Sequence, residues 1–432
     1  MKVFFHTLGC KVNRYETEKM TEQLASIGFT LTEDSKSADL IVVNSCTVTA
    51  ESDRKTRQLT RRYRRLNEKA VILLTGCMPQ AFPTDAESLP ADIILGNGSD
   101  RDVVSAIESY LKNHNRIINI SPHKKGEMFE NGVLESFSER TRAYMKIEDG
   151  CDRGCTYCII PKARGRVRSR SLLDIKSEAE NLAKNGFSEI VLVGINLSSY
   201  GKDLNLTLAD AVKTVAEVSG VERVRLGSLE PDLTDDILLA KLKEIKEFCP
   251  QFHLSLQSGS EATLKRMNRL YTAEEYYELT EKIKKIWSNG SITTDIMVGF
   301  VGESHEEFNE SLEFAKKVGF LKAHIFPYSV REGTFAANMD KKLRVAEDIK
   351  NRRAAIMAEE CDRVSFELLT ALKGETRSVL FERFDGEYSH GYSEDYIPVF
   401  VKGLVPSGEI KKVQILEPIK DGVLAKISEV IL

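Results

Sequence analysis

The chain has no long apolar run and no strong excess of one charge. None of its apolar stretches approaches the ~20 residues that a membrane-spanning helix needs. Residues 1–6 also lack the charged start and long apolar stretch of a signal peptide. The sequence therefore predicts a cytoplasmic protein with no membrane partner. The formal net charge is −4, which argues against indiscriminate binding to nucleic acid.

Cysteine is scarce, with 8 residues in 432. This scarcity excludes a dense disulfide framework and favours metal ligands in a reducing compartment. Two of the cysteines, Cys249 and Cys361, lie outside any cluster, and we interpret them as packing residues. The chain is 42% hydrophobic and 29% charged, which is typical of a globular protein. It is too long for one ordinary core, so two or three domains are expected.

Three cysteines lie within one short segment, Cys151-Asp-Arg-Gly-Cys155-Thr-Tyr-Cys158, with no fourth cysteine or histidine close by. A metal held by three protein ligands keeps one coordination position open, as chemistry on the metal requires. Structural zinc usually shows paired CxxC motifs, whereas this run suits a [4Fe–4S] cluster with one free iron. The alternative is three buried cysteines without a metal, but the segment is polar and Gly-rich.

A second set of three cysteines follows three apolar runs in the first hundred residues. The runs at residues 2–7, 39–44 and 70–75 are typical of buried parallel strands, and residues 17–27 and 52–66 between them predict helices. Parallel strands share a carboxyl edge. Cys10, Cys46 and Cys77 are therefore predicted to meet there as a second three-thiolate site. Three unrelated buried thiols are the alternative.

The rest of the chain predicts two further units. Six strands, at residues 142–147, 189–194, 222–227, 252–257, 293–298 and 322–328, indicate a partial (β/α)6 barrel with its site at the carboxyl ends of the strands. Short strands at 378–382, 396–401, 409–415 and 422–427 predict a small antiparallel barrel. The predicted boundaries are 1–112 for the N-terminal α/β domain, 113–136 for a linker, 137–369 for the central barrel and 370–432 for the last domain.

Basic side chains are concentrated in two places. Residues 54–69 hold eight of them against the single Glu68, and five more directly follow the cysteine run. Such runs are often only solvated helix faces, but two of them beside two cysteine sites predict a surface that follows phosphates. The two sets are Arg54, Lys55, Arg57, Arg61, Arg62, Arg64, Arg65 and Lys69, and Lys162, Arg164, Arg166, Arg168 and Arg170.

With both cysteine sets and the terminal barrel placed, the chain resembles the radical S-adenosylmethionine (SAM) methylthiotransferases along essentially its whole length. The segment Thr7-Leu-Gly-Cys-Lys-Val-Asn13 with Tyr15-Glu16 is similar to the MtaB branch of that family. The run Phe326-Pro-Tyr-Ser-Val-Arg-Glu-Gly-Thr334 is also family-like. The resemblance implies an α/β fold with an N-terminal parallel-sheet domain, a radical SAM barrel and a C-terminal TRAM domain.

The resemblance also implies a transferase. Its reaction would convert N6-threonylcarbamoyladenosine, next to the tRNA anticodon, to the 2-methylthio derivative, with one SAM for the radical and another for the methyl group. Cys151, Cys155 and Cys158 would bind the SAM-cleaving [4Fe–4S] cluster, and Cys10, Cys46 and Cys77 an auxiliary [4Fe–4S] cluster that carries sulfur. Implied partners are tRNA, a sulfur source and a low-potential electron donor such as a flavodoxin or ferredoxin. No side chain is assigned an acid or base role, because the hard chemistry belongs to the cofactors.

Polar residues at the ends of the predicted barrel strands are the candidates for SAM contacts. They follow different strands and would face one opening. Where related branches have Gly-Gln-Asn, this chain has Gly194-Ile195-Asn196, so a role for that glutamine does not transfer. The candidates are Gly194, Asn196, Glu230, Gln257 and Arg331.

Two other functions remain open at this stage. The first is the same chemistry on another modified adenosine or on a protein side chain. The second is a non-catalytic iron–sulfur or zinc protein that binds RNA, which predicts no cleavage of SAM.

Overall fold

The N-terminal part of the chain forms a six-stranded parallel sheet in the order β2-β1-β3-β4-β5-β6. The computed structural model describes residues 1–98, 101–130, 132–135 and 141–428. Apolar side chains cover both faces of this sheet, with Met20 and Leu24 packed on one side and Tyr63 on the other. The elements are β1 (Lys2–Thr7), α1 (Lys11–Ser26), β2 (Thr30–Leu31), β3 (Leu40–Ser45), α2 (Ala50–Leu66), β4 (Val71–Gly76), α3 (Cys77–Ala81), α4 (Pro83–Glu87), β5 (Ile93–Leu95), α5 (Val103–Asn113) and β6 (Ile117–Asn119).

The three strands predicted here are confirmed as β1, β3 and β4, which are neighbours and parallel. The sequence did not reveal β2, β5 and β6, because two or three residues are too few for a periodic pattern. Strand β6 lies within the predicted linker 113–136 and extends the sheet. The predicted boundary between residues 136 and 137 falls outside the described residues.

The central part of the chain contains the six predicted parallel strands and the short β12, which the sequence did not reveal, in two sheets ordered β11-β10-β7 and β12-β13-β14-β15. A parallel bridge pairs Val224 of β11 with Phe248, just before β13, and so places the two sheets side by side. The barrel fold class is confirmed. Apolar strand residues and the surrounding helices share one large core. The elements are β7 (Arg142–Lys146), β8 (Glu148–Asp149), α6 (Ile160–Arg164), β9 (Arg168–Ser169), α7 (Leu172–Lys184), β10 (Glu189–Val193), α8 (Leu208–Ala216), β11 (Arg223–Leu226), β12 (Ser228–Leu229), α9 (Asp236–Lys243), β13 (Gln251–Leu254), α10 (Glu261–Met267), α11 (Ala273–Ile286), β14 (Ser291–Val298), α12 (His305–Val318), β15 (Lys322–Pro327) and α13 (Glu347–Ala371).

The C-terminal part is a closed barrel of five strands in the order β16-β17-β18-β20-β19. Its pairings are antiparallel apart from the parallel pair of β18 and β20. The four predicted strands are present, and the sequence did not reveal β17. The strands are β16 (Thr376–Phe384), β17 (Tyr388–Ser393), β18 (Pro398–Lys402), β19 (Ile410–Ile419) and β20 (Gly422–Ile427).

This small barrel packs against the amino ends of the central strands. Arg223 and Arg225, near the start of β11, donate to the carbonyl oxygens of Ser378 and Ser393 at 2.7 and 3.1 Å. Ser291, the first residue of β14, donates to the carbonyl oxygen of Asp395 at 2.5 Å. The carboxyl ends of the central strands therefore remain clear of these contacts. Among the described residues, no helix combines the length and apolar character needed to span a bilayer.

We predict that Phe252→Ala lowers the free energy of unfolding by about 3–5 kcal/mol, because the ring is fully buried and its removal leaves a cavity. Its centroid lies 5.6 Å from that of Phe248 and 5.1 Å from that of Trp287. Urea unfolding of the full chain measures the loss. Phe335→Ala removes a ring that is 69% exposed and serves as the control. Equal losses for the two variants would contradict this account of the core.

Candidate active site

Cys10, Cys46 and Cys77 lie in the loops at the carboxyl ends of three adjacent parallel strands. Cys46 directly follows β3, and Cys77 directly follows β4 as the first residue of α3. A side chain cannot be accommodated at Gly76, since a Cβ there would lie 2.5 Å from the carbonyl oxygen of Ser45 and φ is +99°. A Cβ at Gly9 would lie 3.0 Å from that of Cys46. The structure thus brings the three cysteines to one edge of the sheet.

The thiols of this first set differ in exposure. Burial raises the pKa of Cys77 to about 12 and also raises that of Cys46. The Cys77 sulfur accepts a hydrogen bond from Arg164 Nε at 3.1 Å and lies 3.9 Å from Asn97 Nδ2. Cys10 is exposed. The site is therefore closed on the side of Cys77 and open on the side of Cys10.

Cys151, Cys155 and Cys158 lie in the loop between β8 and α6, and each is half-buried. Burial raises the pKa of Cys151 to about 11 and that of Cys158 to about 12. Asn196 Nδ2 lies 3.6 Å from the sulfur of Cys151, and Arg269 Nη1 donates to that of Cys155 at 3.2 Å. Polar donors from the central barrel therefore face this second set.

The donor chemistry of both sets fits [4Fe–4S] clusters. Buried thiols with raised pKa values lose their protons readily only when a cation such as ligated iron replaces them. Within the described parts of the chain, no three His, Cys, Asp or Glu side chains converge on one point that would hold a single metal ion. A cubane binds its thiolates on separate irons and needs no such convergence.

The segments that carry the two cysteine sets are in direct contact between the N-terminal sheet and the central barrel. Helix α3 begins at Cys77, helix α6 begins two residues after Cys158, and the two helices pack together. Cys77 is buried in one apolar cluster with Ala81, Ile159 and Ala163. The contact fixes the position of one set relative to the other.

Two of the candidate SAM residues lie beside Cys151. The backbone N–H of Asn196 donates to Glu148 Oε2 at 2.7 Å. Gly194 leaves room for that carboxyl, because a Cβ there would lie 2.6 Å from Glu148 Oε2. Burial raises the pKa of Glu148 well above its ordinary value. Asn196 Oδ1 and Glu148 Oε1 are buried and have no hydrogen-bond partner among the described residues, so both are available to a bound polar group.

Glu230 and Gln257 also lie at this end of the barrel. Glu230 forms an ion pair of 2.5 Å with Arg269, the residue that donates to Cys155. Gln257 is buried with φ at +67°, and its backbone is hydrogen-bonded to Asp295 and Met297 of β14. The side chain of Glu230 is thus tied to the second cysteine set, whereas the described contacts of Gln257 involve its backbone.

Arg331 lies beside the loop of the first cysteine set. Its Nη2 donates to Oγ1 of Thr47, the residue directly after Cys46, at 2.8 Å. The same Nη2 is hydrogen-bonded to Asp53 in the first turn of α2. Its Nε is buried and has no hydrogen-bond partner among the described residues. Arg331 therefore connects the central barrel to the loop of the first cysteine set, a connection that the sequence did not reveal.

The second basic set predicted from the sequence is not a surface patch, and that prediction was wrong. Arg164, Arg168 and Arg170 are buried, and each is paired with carboxylates. Lys162 and Arg166 are exposed. This burial was not predictable from the sequence, because the partners of these arginines include Glu16, far away in the chain. Arg269 was also missed, since a lone arginine after a helix carries no motif.

Further polar side chains lie on the central strands and in the turn between β17 and β18. His253 Nε2 lies 3.2 Å from an Asp295 oxygen, and the ring centroids of His253 and His324 are 5.9 Å apart. Burial acts to raise the pKa of Tyr396, but Arg142 and Lys11 outweigh it and lower that pKa. These residues were not predicted, because charged and polar residues on a barrel strand look like solvent-exposed ones in the sequence.

Comparison with known proteins agrees with this geometry. The family model described as "Uncharacterized protein family UPF0004" matches residues 2–96, and the model of the radical SAM superfamily matches residues 145–315. Among solved structures, the radical SAM methyltransferase TsrM from Kitasatospora setae has a TM-score of 0.56 at 13% identity, covering 76% of this chain and 72% of that one. The fold and the three-cysteine loop thus define a protein of the radical SAM class.

Curated relatives narrow the class. The threonylcarbamoyladenosine tRNA methylthiotransferase MtaB of Thermotoga maritima is 39% identical over 98% of this chain and 96% of its own length. The MtaB protein of Bacillus subtilis is 36% identical over 99% and 97%. A tRNA-2-methylthio-N(6)-dimethylallyladenosine synthase of Clostridium botulinum is 36% identical over 88% and 85%. The chain belongs to the MtaB group of the radical SAM methylthiotransferases.

We predict that Arg331→Met lowers the free energy of unfolding by about 3–5 kcal/mol, because it leaves the buried Asp53 without its cation. Urea unfolding of the full chain measures the change. Arg54→Met is the matched control, since its ion pair with Glu51 is exposed and contributes no more than about 1 kcal/mol. A loss at Arg331 as small as that at Arg54 would contradict the proposed link.

Proposed function

We propose that this chain is a methylthiotransferase that converts N6-threonylcarbamoyladenosine in tRNA to its 2-methylthio derivative. The observation that carries the proposal is the pair of three-cysteine sites whose segments are joined by the contact of α3 and α6. The choice of substrate is supported by the relatives named for that nucleoside, which match 96–99% of the chain at 35–39% identity. The relative named for dimethylallyladenosine matches 88%.

In this proposal each cysteine set holds one [4Fe–4S] cluster. Cys151, Cys155 and Cys158 bind the cluster that also binds SAM, and Cys10, Cys46 and Cys77 bind the auxiliary cluster. When bound, these cofactors supply a radical that removes hydrogen from the base, together with the sulfur and methyl group that replace it. The residues of the chain position the reactants and exclude water.

Polar residues of the central barrel orient the SAM site. Asn196 and Glu148 each present an unpaired buried oxygen beside Cys151, which suits the amino group of SAM. Glu230 holds Arg269 against Cys155. Gly194 and Gln257 act through the backbone, and Arg331 completes the wall toward the first set. Tyr157 packs on Phe300 with centroids 6.2 Å apart and limits access of water.

The exposed basic face of α2 is the proposed contact for the tRNA backbone. An open groove of about 500 Å³ is lined by arginines of this helix, among them Arg57, Arg61 and Arg65. Among the described residues, Arg61, Arg62 and Arg65 have no ion-pair partner, so their charges are free to bind phosphates. Arg64 instead binds Asp92 and the carbonyl oxygen of Ala70, which gives it a structural role.

The reaction needs partners beyond tRNA. The proposed ones are a sulfur source and a low-potential electron donor such as a flavodoxin or ferredoxin. We assign the central barrel to residues 137–369 and the C-terminal barrel to 370–432, and we extend the predicted N-terminal domain from 1–112 to 1–119, because β6 belongs to its sheet. The packing of β16–β20 against the amino ends of the central strands supports the last of these assignments.

The proposed cofactors predict that alanine at Cys151, Cys155 and Cys158 removes one of two clusters and abolishes release of 5′-deoxyadenosine. Alanine at Cys10, Cys46 and Cys77 should remove the other cluster and retain that release, because each set binds iron independently. Iron and sulfide content and chromatography of the reduced, anaerobically reconstituted proteins measure both effects. Alanine at Cys249 and Cys361, which lie apart from both sets, is the control.

The substrate is tested separately by nucleoside analysis of tRNA from cells with and without the gene. Loss of the 2-methylthio derivative of threonylcarbamoyladenosine supports the proposal. Loss of a different methylthio nucleoside would mean that the chain acts on a different substrate. Wild-type protein that holds clusters but does not cleave SAM would mean that the chain does not catalyse the proposed reaction.

We predict that glutamate at Arg61, Arg62 and Arg65 weakens tRNA binding and lowers the slope of log K against log salt by about 2–3, since each phosphate contact contributes roughly 0.7–0.9. Fluorescence anisotropy across a salt series measures the slope. Glutamate at Lys176, Lys184 and Lys213, three exposed lysines on α7 and α8, is the matched control for net charge. Equal slopes for the two triple variants would exclude α2 as the RNA contact.

A further inference from the structure

One arginine of the central barrel reaches into the N-terminal cysteine site. Arg164 is the last residue of α6, the helix that follows Cys158, and its side chain is completely buried. Its Nε donates to the sulfur of Cys77 at 3.1 Å. The first cysteine set is therefore completed by a residue that belongs to the segment of the second set.

The orientation of this guanidinium is fixed by two carboxylates. Arg164 Nη2 donates to Glu16 Oε2 at 3.1 Å, and Nη1 is bonded to Glu16 Oε1 and lies 3.3 Å from Asp149 Oδ2. Lys146 joins the same two carboxylates at 3.0 and 2.7 Å. Because every acceptor is buried and shared, Arg164 cannot turn away from Cys77 without leaving a buried charge unpaired.

The same network reaches the second cysteine set. Asp149 Oδ1 accepts the backbone N–H of Gly150 at 2.8 Å, and Gly150 directly precedes Cys151. A continuous chain of buried polar contacts thus runs from the Cys77 sulfur through Arg164 and Asp149 to the backbone beside Cys151. This chain gives the two sites a common support.

A positively charged group that donates a hydrogen bond to a cysteine ligand changes the reduction potential of the bound cluster. Reduction adds negative charge to the cluster, and a hydrogen bond or positive charge at a cysteine sulfur stabilises the reduced form. Arg164 is shielded from solvent, so salt and water do not weaken its effect. Asn97, the other donor near Cys77, is neutral and more distant, at 3.9 Å.

We propose that Arg164 is a positioning residue that raises the reduction potential of the cluster at Cys10, Cys46 and Cys77. This inference rests on the proposed function, which assigns that cluster to these cysteines. It adds that the central barrel, and not the N-terminal sheet alone, sets the redox property of the auxiliary cluster. The electron involved comes from the low-potential donor already named.

The test uses the full chain with Cys151, Cys155 and Cys158 replaced by alanine, so that only the auxiliary cluster contributes a signal. Arg164→Met, Arg164→Lys and the unchanged Arg164 are compared after anaerobic reconstitution. A redox titration followed by electron paramagnetic resonance gives the potential of each. Arg166→Gln, at an exposed position two residues further on, is the control for loss of a nearby positive charge.

We expect Arg164→Met to shift the potential to a more negative value, because the donor and its charge are lost. Arg164→Lys keeps the charge and should shift it less, and Arg166→Gln should leave it unchanged. If Arg164→Met does not fold, the lysine variant decides, since it preserves the charge balance with Glu16 and Asp149. A negative shift of its potential supports the proposal, and an unchanged potential overturns it.

Two failures are distinguishable. A cluster that binds normally in the Arg164 variants with an unaltered potential overturns the role of Arg164 and leaves the proposed function standing. Absence of any cluster when Arg164 is present shows instead that Cys10, Cys46 and Cys77 are not its ligands. That result overturns the proposed function, and this inference with it.

Discussion

The buried network of Glu16, Lys146, Asp149 and Arg164 is the interaction on which the arrangement of the two sites depends. Burial acts to raise the pKa of Glu16, but Arg164 and Lys146 outweigh it and keep the carboxyl ionised. Each charge repays its desolvation only while its partners stay in place. The network therefore permits one relative position of the N-terminal sheet and the central barrel, and with it one placement of Cys77 relative to Cys151.

Parallel sheets explain why both cysteine sets lie in loops. At the carboxyl ends of parallel strands the backbone leaves the sheet, and short loops from neighbouring strands meet there. Such loops can surround a bulky group only if their own side chains are small. Gly76 and Gly194 satisfy this condition, one beside Cys77 and the other beside Glu148. The same rule thus shapes both sites, although they belong to different sheets.

The sequence predicted the parts of the structure that local pattern determines. Apolar runs predicted the six central strands and β1, β3 and β4. A cysteine follows each of these last three strands, which predicted that the three cysteines lie at one edge of the N-terminal sheet. The burial of Arg164 and Arg170 was not predictable, because it depends on Glu16 and Glu178 in other elements. The link from Arg331 to Asp53 joins residues 278 positions apart, and no local pattern reports such a pair.

The exposure of the thiols separates the roles of the two sets in the proposed reaction. Cys77 and Cys46 are buried, whereas Cys10 is exposed, so a cluster in the first set is accessible from the side of Cys10. In the proposed reaction the base would therefore approach the first set from the side of Cys10, because Cys46 and Cys77 are enclosed by the protein.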